Sequence, residues 1–167
     1  MQAVNPVPLH IGVIMDGNRR FAKRLMKQPW KGHEWGSEKA REFLGWCREM
    51  GVRHITMYAF SVQNFNRPKK EFDYIMKLFE QEFKQILVDM EHDAHKYKVR
   101  IRFLGRIHML PKNLQALFKK VEDATQNYNN YFLNLAIAYG GQEEITKGAL
   151  HSLSEPRWSM RPAVFRR

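Results

Sequence analysis

Between His10 and Ala22 the chain reads HIGVIMDGNRRFA, which sets one carboxylate, Asp16, beside a Gly17-Asn18 turn and two guanidinium groups, Arg19 and Arg20. One acid and two bases at this spacing suit a phosphorylated ligand. The carboxylate can hold Mg²⁺ against phosphate oxygens, and the arginines can fork onto the others. Asp-Gly-Asn also serves as a plain turn, with Asp capping a helix and Gly-Asn supplying positive φ. The doubled arginine is what favours an anion site. A second polar cluster, SVQNFNRP, brings Ser61, Asn64 and Arg67, and a third, YGGQEE, follows Tyr139. Neither G-x-x-x-x-G-K-[ST] nor G-x-G-x-x-G occurs, so the standard nucleotide loops are absent.

These clusters sit where strand-like runs end. Ile11 to Met15 is a short β-branched run that reads as a strand buried on both faces of a sheet. Residues 23–36 contain Pro29, Gly32 and Gly36 without a regular period and read as a mobile loop with a broken helical start, after which Ser37 is placed to cap a helix reaching Met50. His54 to Phe60 (HITMYAF) reads as a second strand. Pro68 opens a long helix to about Asp93, with Phe72, Ile75, Met76, Phe79, Phe83, Ile86, Leu87 and Met90 on one face. That stripe is ordinary core packing or the wall of an apolar tunnel. Val99 to Leu104 is a third strand, Pro111 opens another helix, Phe132 to Ala138 is a fourth strand, and a short helix starts at Gln142. Strands alternating with helices at this spacing argue for βαβ units and a parallel sheet. In such a sheet the loops at the carboxyl ends share one edge, where Asp16, Asn18, Arg19, Arg20, Ser61, Asn64 and Arg67 converge on one site.

At 167 residues the chain is one domain of ordinary size, able to bury a core without staples. Its single Cys47 excludes an intramolecular disulfide and agrees with a reducing compartment. The seven histidines are scattered without zinc spacing, the N-terminus lacks a signal-peptide pattern, and no apolar run approaches a membrane span, which together suggest a soluble cytoplasmic protein. The formal net charge of +11 permits nucleic acid, an anionic membrane surface or phosphorylated substrates as partners. Part of it belongs to the final stretch, where Lys147, Arg157, Arg161, Arg166 and Arg167 stand against Glu155. No nucleic-acid motif is present, and the remaining arginines lie in loops at strand ends, so nucleic acid is not the expected partner.

MDGNRRFAK, Gly32-His33, YAFSVQNFNRP and LNLAIAYGGQEEI, in this order and spacing, resemble the cis-prenyltransferases, the undecaprenyl and dehydrodolichyl diphosphate synthases, over about residues 8 to 147. The resemblance implies an α/β fold with a mostly parallel central sheet flanked by helices. It also implies the Mg²⁺-dependent extension of an allylic diphosphate, such as farnesyl diphosphate, by isopentenyl diphosphate with cis geometry, giving a polyprenyl diphosphate. By the same match Asp16 is the catalytic and metal-binding carboxylate. Gly17, Asn18, Arg19 and Arg20 cradle the allylic diphosphate, and Phe21 and His33 contact substrate. Ser61 and Asn64 orient isopentenyl diphosphate and assist proton removal, with Asn64 the candidate acceptor; Val62, Gln63, Phe65 and Arg67 are neighbouring substrate-binding positions. The tunnel for the growing chain is lined partly by residues 68–92. Intact family members are dimers or heteromers, and their lipid product makes peripheral membrane contact an expectation.

Three departures stand out. A family arginine aligns with Pro29, with Lys27 or Lys31 as imperfect substitutes, and the family's S-x-E-N reads Ser61-Val62-Gln63-Asn64. After Ile145 the family continues with another strand, an Arg-x-Gly-Gly turn, an Arg-x-Ser pair and a metal-binding Glu. Residues 148–167 match none of this and show no convincing period. The expectation is therefore a truncated family domain over 1–147 with its C-terminal strands missing, followed by a basic non-family tail, and a lone chain that is weakly active or inactive, with an inactive fragment or a subunit completed by a partner chain as the alternative.

Overall fold

A computed structural model describes residues 7–26, 28 and 31–154 of the chain. Four strands, β1 (His10–Ile14), β2 (His54–Ser61), β3 (Val99–Leu104) and β4 (Tyr131–Tyr139), form one parallel sheet in the order β1-β2-β4-β3. The helices are α1 (Asn18–Arg24), α2 (Lys31–Glu49), α3 (Lys69–Val88), α4 (Asp93–Lys96), α5 (Lys112–Thr125) and α6 (Gly141–Ser154). None among the described residues is long and apolar enough to cross a membrane.

Strand alternation sends Ile55, Met57, Ile101, Phe103, Leu133 and Leu135 into the core, where they meet Ile75, Phe83 and Ile86 of α3 and Leu114, Leu117 and Phe118 of α5. Phe103 and Phe118 stack at 4.0 Å between ring centres, and Phe83 packs edge-on against both. The free edge of β3 is covered by α5: the Ile101 N–H donates to Thr125 Oγ1 (3.2 Å) and the Phe103 N–H to Glu122 Oε1 (2.9 Å).

Four sequence expectations are corrected. The first strand is not buried on both faces. It lies at the sheet's edge with alternating exposure, and Ile14 is 73% exposed. Its outward neighbours are polar, since His10 Nε2 lies 2.9 Å from Thr56 Oγ1 and Asn134 donates to the same hydroxyl at 3.3 Å. Second, residues 31–36 are helix, not loop, and Ser37 sits inside α2 instead of capping it. Gly32 and Gly36 are there for closeness: a Cβ on Gly32 would stand 2.1 Å from the Asn18 carbonyl oxygen, and one on Gly36 2.5 Å from the Asn18 amide nitrogen. Third, the long helix stops at Val88, and Asp93 begins the separate turn of α4. Fourth, the helix after β4 runs from Gly141 to Ser154, so residues 148–154 continue it. Lys27, Pro29 and residues 155–167 lie outside the described residues.

A further feature is a pair of register shifts. Tyr58 pairs with Ala136, Phe60 with Ile137 and Ser61 with Tyr139, so β2 and then β4 each accommodate an extra residue. The first shift turns Phe60 inward, 1% exposed, where strict alternation from Ile55 and Met57 would turn it out. In the second, Ala138 takes φ +52°.

Gly32→Ala drives a methyl into backbone and is expected to cost about 2 kcal/mol despite the gain in helix propensity. Gly45→Ala, whose Cβ meets nothing within 4 Å, is expected to stabilise by roughly 1 kcal/mol. Urea unfolding midpoints of the two variants check this, and equal midpoints would contradict the close α1–α2 approach.

Candidate functional site

A cavity of about 900 Å³ lies between the sheet and the two helices α2 and α3, running from the carboxyl ends of the strands to their amino ends. Its carboxyl-end mouth is polar, with Asp16, Arg19, Arg20, Ser61, Asn64 and Arg67. Its depth is apolar, with Ala40, Leu44, Met57, Phe79, Phe83 and Leu135. Residues on five different elements and their loops thus converge, as the parallel topology requires.

Each mouth residue is positioned by local structure. The strand β1 delivers Asp16, and Gly17 at φ +98° turns the chain directly into α1. The Gly17 N–H donates to Asp16 Oδ1 at 2.6 Å, and Arg20 Nη2 meets Asp16 Oδ2 at 2.8 Å. Asp16 and Arg20 side chains are 76% and 74% exposed, free to exchange one another for a ligand. With seven residues α1 has a small dipole, so the arginines supply most of the positive potential. Asn18 is fixed beneath Gly36. A 3-10 turn over Val62–Asn66 follows β2, and within it Asn64 Oδ1 accepts the Ser61 N–H at 3.0 Å.

Behind the mouth stands Glu71, the site residue that sequence reasoning missed. Its side chain is 3% exposed and gathers three partners: Arg67 hydrogen-bonds it from one turn earlier, His33 Nε2 lies at 3.1 Å and Arg19 Nε at 3.5 Å. Burial pushes the Glu71 carboxyl up, but the hydrogen bonds from His33 and Arg67, with the charges of Arg67 and Arg19, outweigh it and hold the carboxyl below its usual range. Burial likewise lowers the His33 pKa against the opposing pull of Glu71, so the imidazole is neutral at pH 7 and its contact is a hydrogen bond. The signal was present in the sequence as the four-residue spacing of Arg67 and Glu71 at a helix start.

Nine of the named residues line the mouth: Asp16, Gly17, Asn18, Arg19, Arg20, His33, Ser61, Asn64 and Arg67. Phe21, Val62, Gln63 and Phe65 do not. Phe21 packs edge-on against Trp35, and Phe65 joins Phe60 and Phe72 in the core. Burial raises the Cys47 thiol, which keeps it protonated and apart from the chemistry. Among the described residues no group of three or more His, Cys, Asp and Glu is arranged to hold a metal, and Asp16 is the carboxylate that lines this end of the cavity. One carboxylate fits Mg²⁺, which prefers one or two carboxylates plus substrate phosphates and water to an all-protein cage.

Glu71→Gln removes the charge that holds two arginines and is expected to cost about 3 kcal/mol at pH 7. Because the folded-state pKa of Glu71 is depressed, its contribution is full above the unfolded value of 4.5 and fades as pH falls through the folded value. Thermal unfolding of both proteins from pH 7 to pH 3 checks this: the gap between them should close toward acid, and a gap independent of pH would contradict it.

A family model described as "Putative undecaprenyl diphosphate synthase" matches residues 14–162. Over 139 residues the chain is 52% identical to a tritrans,polycis-undecaprenyl-diphosphate synthase (geranylgeranyl-diphosphate specific) of Methanocaldococcus jannaschii, covering 83% of this chain and 49% of that one. The enzyme of the same description from Pyrococcus furiosus is 48% identical, with 83% and 52% covered. The chain spans about half the length of these relatives. Among solved structures, lavandulyl diphosphate synthase from Lavandula x intermedia, in complex with dimethylallyl diphosphate, superposes with a TM-score of 0.75 at 26% identity, covering 90% of this chain and 66% of that one. The sequence match and the shared parallel sheet agree: the chain belongs to the undecaprenyl diphosphate synthase family of cis-prenyltransferases.

Proposed function

We propose that this chain binds an allylic diphosphate with its headgroup at Asp16, Arg19, Arg20 and Arg67 and its isoprenoid tail in the cavity, and that it extends the tail with isopentenyl diphosphate in cis geometry. The observation that carries this reading is the joining of a cationic mouth to a deep apolar cavity, a shape suited to a lipid diphosphate. Geranylgeranyl diphosphate is the proposed primer, in place of the farnesyl diphosphate expected at first, because the relatives at about half identity are described as specific for it.

In this reading the arginines neutralise charge on the departing diphosphate. The allylic carbon–oxygen bond breaks with its electron pair leaving on the diphosphate, the terminal alkene carbon of isopentenyl diphosphate bonds to the allylic carbon, and the proton given up by the incoming unit passes to an oxygen of the released diphosphate. Ser61 and Asn64 orient that unit and assist proton removal. Bound Mg²⁺, held by Asp16, would add Lewis-acid stabilisation of the leaving group. The apolar walls keep water from the allylic carbon.

The test is incorporation of labelled isopentenyl diphosphate into butanol-extractable lipid by the 167-residue chain with geranylgeranyl diphosphate and Mg²⁺, alongside equilibrium binding of the primer. Turnover should fall at least 100-fold in Asp16→Ala while the fold is kept. Primer binding without turnover would restrict the chain to the binding half of the reaction. Neither binding nor turnover would overturn the proposal.

A further inference from the structure

Residues 17–33 hold six Lys or Arg and no Asp or Glu. Within that stretch α1 and its end leave three large apolar side chains in solvent: Phe21 is 52% exposed, Leu25 48% and Met26 96%. On the helix Phe21, Arg24 and Leu25 stand at i, i+3 and i+4, so they form one stripe, with Arg20 one turn before Arg24. Ala22 points the other way and is fully buried against Gly32. The contact that seats α1 on α2 therefore fixes the stripe outward.

Two further observations set this surface apart. Met26 follows the end of α1 at φ +52°, the left-handed region that favours glycine, and holds a long apolar side chain almost wholly in water. No packing within the described residues offsets either cost. The cations are also unequal: Arg19 is drawn back to Glu71 and Arg20 lies on Asp16, whereas Lys23 and Arg24 make no ion pair among the described residues. Other exposed apolar side chains stand beside acids. Val88 and Met90 alternate with Asp89 and Glu91, Met50 follows Glu49, and Ile145 follows Glu144. An anionic surface repels those places and attracts this one.

We propose that α1 and Met26 dock on an anionic lipid bilayer, with Phe21, Leu25 and Met26 entering the boundary between headgroups and acyl chains and Lys23 and Arg24 lying at the phosphates. Apolar and cationic side chains on one short outward surface, with no acid among them, suit the membrane interface. A nucleic acid would take the cations and leave Leu25 and Met26 in water. The cavity mouth opens beside the start of the same helix, at Arg19 and Arg20. A docked chain thus holds its mouth at the level of the headgroups, where a lipid diphosphate presents its charge with its tail in the bilayer. That consequence rests on the lipid-diphosphate reading, and the docking itself does not.

The experiment is co-sedimentation of the 167-residue chain with vesicles of mixed phosphatidylglycerol and phosphatidylcholine, or of phosphatidylcholine alone, with no diphosphate ligand present. The mixed vesicles should bind at least ten-fold more tightly. Lys23→Gln/Arg24→Gln should weaken that binding at least ten-fold and Leu25→Ser/Met26→Ser at least three-fold. Lys112→Gln/Lys120→Gln removes the same charge from exposed positions on α5 and should stay within two-fold. Circular dichroism checks that each variant is folded. An environment-sensitive fluorophore on Met26→Cys should shift to the blue on mixed vesicles, and Cys47, being fully buried, does not compete for the label. Equal losses from the α1 and α5 charge variants would mean attraction by net charge alone and would overturn the docking. So would undiminished binding by Leu25→Ser/Met26→Ser, the mark of a plain polyanion site, or a failure to bind vesicles by a chain that instead self-associates through these residues. None of these outcomes touches the reading of the cavity, which primer binding decides.

Discussion

One buried carboxylate ties together the segments that make the mouth. Glu71 on α3 receives His33 from α2, Arg67 from the segment between the strand β2 and α3, and Arg19 from α1. A cationic site built for an anion is self-repelling when empty, and the arginines would splay apart without a counter-charge. Placing that counter-charge behind them, away from the mouth, orients the guanidinium groups while leaving their outer faces to a ligand. The neutral state of His33 follows from the same burial, since a second full cation beside Arg67 would have no solvent to screen it.

The cavity exists because α2 does not pack down on the sheet along its whole length. Its first turns are drawn tightly against α1 by Gly32 and Gly36, and polar groups brace it against the α3 side farther along. Between these anchors Ala40 and Leu44 face open space. The sheet contributes the opposite wall, and the double register shift between β2 and β4 lies at the end of that wall nearest the mouth. There it buries Phe60 and brings Ser61 and Asn64 to the rim. Such irregularities beside a site re-aim side chains that regular pleating would misdirect.

Much of this was legible beforehand. The four strands, their parallel arrangement and the convergence of their loops follow from patterning that local physics enforces, and the MDGNRR and SVQNFNRP stretches carried the family resemblance by themselves. The misreadings have particular causes. Gly32 and Gly36 look like helix breakers because intrinsic propensity counts against them, whereas their use is contact with Asn18, a partner fourteen or more positions away in the chain. β1 looked like an interior strand from its β-branched content, but interior position depends on what pairs with its far edge, and among the described residues nothing does. Glu71 was passed over because a glutamate in the first turn of a helix is commonplace, and its burial depends on three residues from other segments.

Sequence by itself therefore determined the four strands, the parallel topology, the family and the chemical character of the mouth, because each of these rests on residue type and short-range spacing. The tertiary structure decided which of the named residues face the cavity. It turned Phe21 onto Trp35 and Phe65 into the core, brought in Glu71, and joined α2 to the α3 side through Arg41–Glu82 and Arg48–Asp93. Apart from the short-range contacts of Phe65 with Phe60 and Phe72 and of Arg67 with Glu71, these outcomes depend on contacts between residues 14 to 52 positions apart, which are set when helices pack on a twisted sheet.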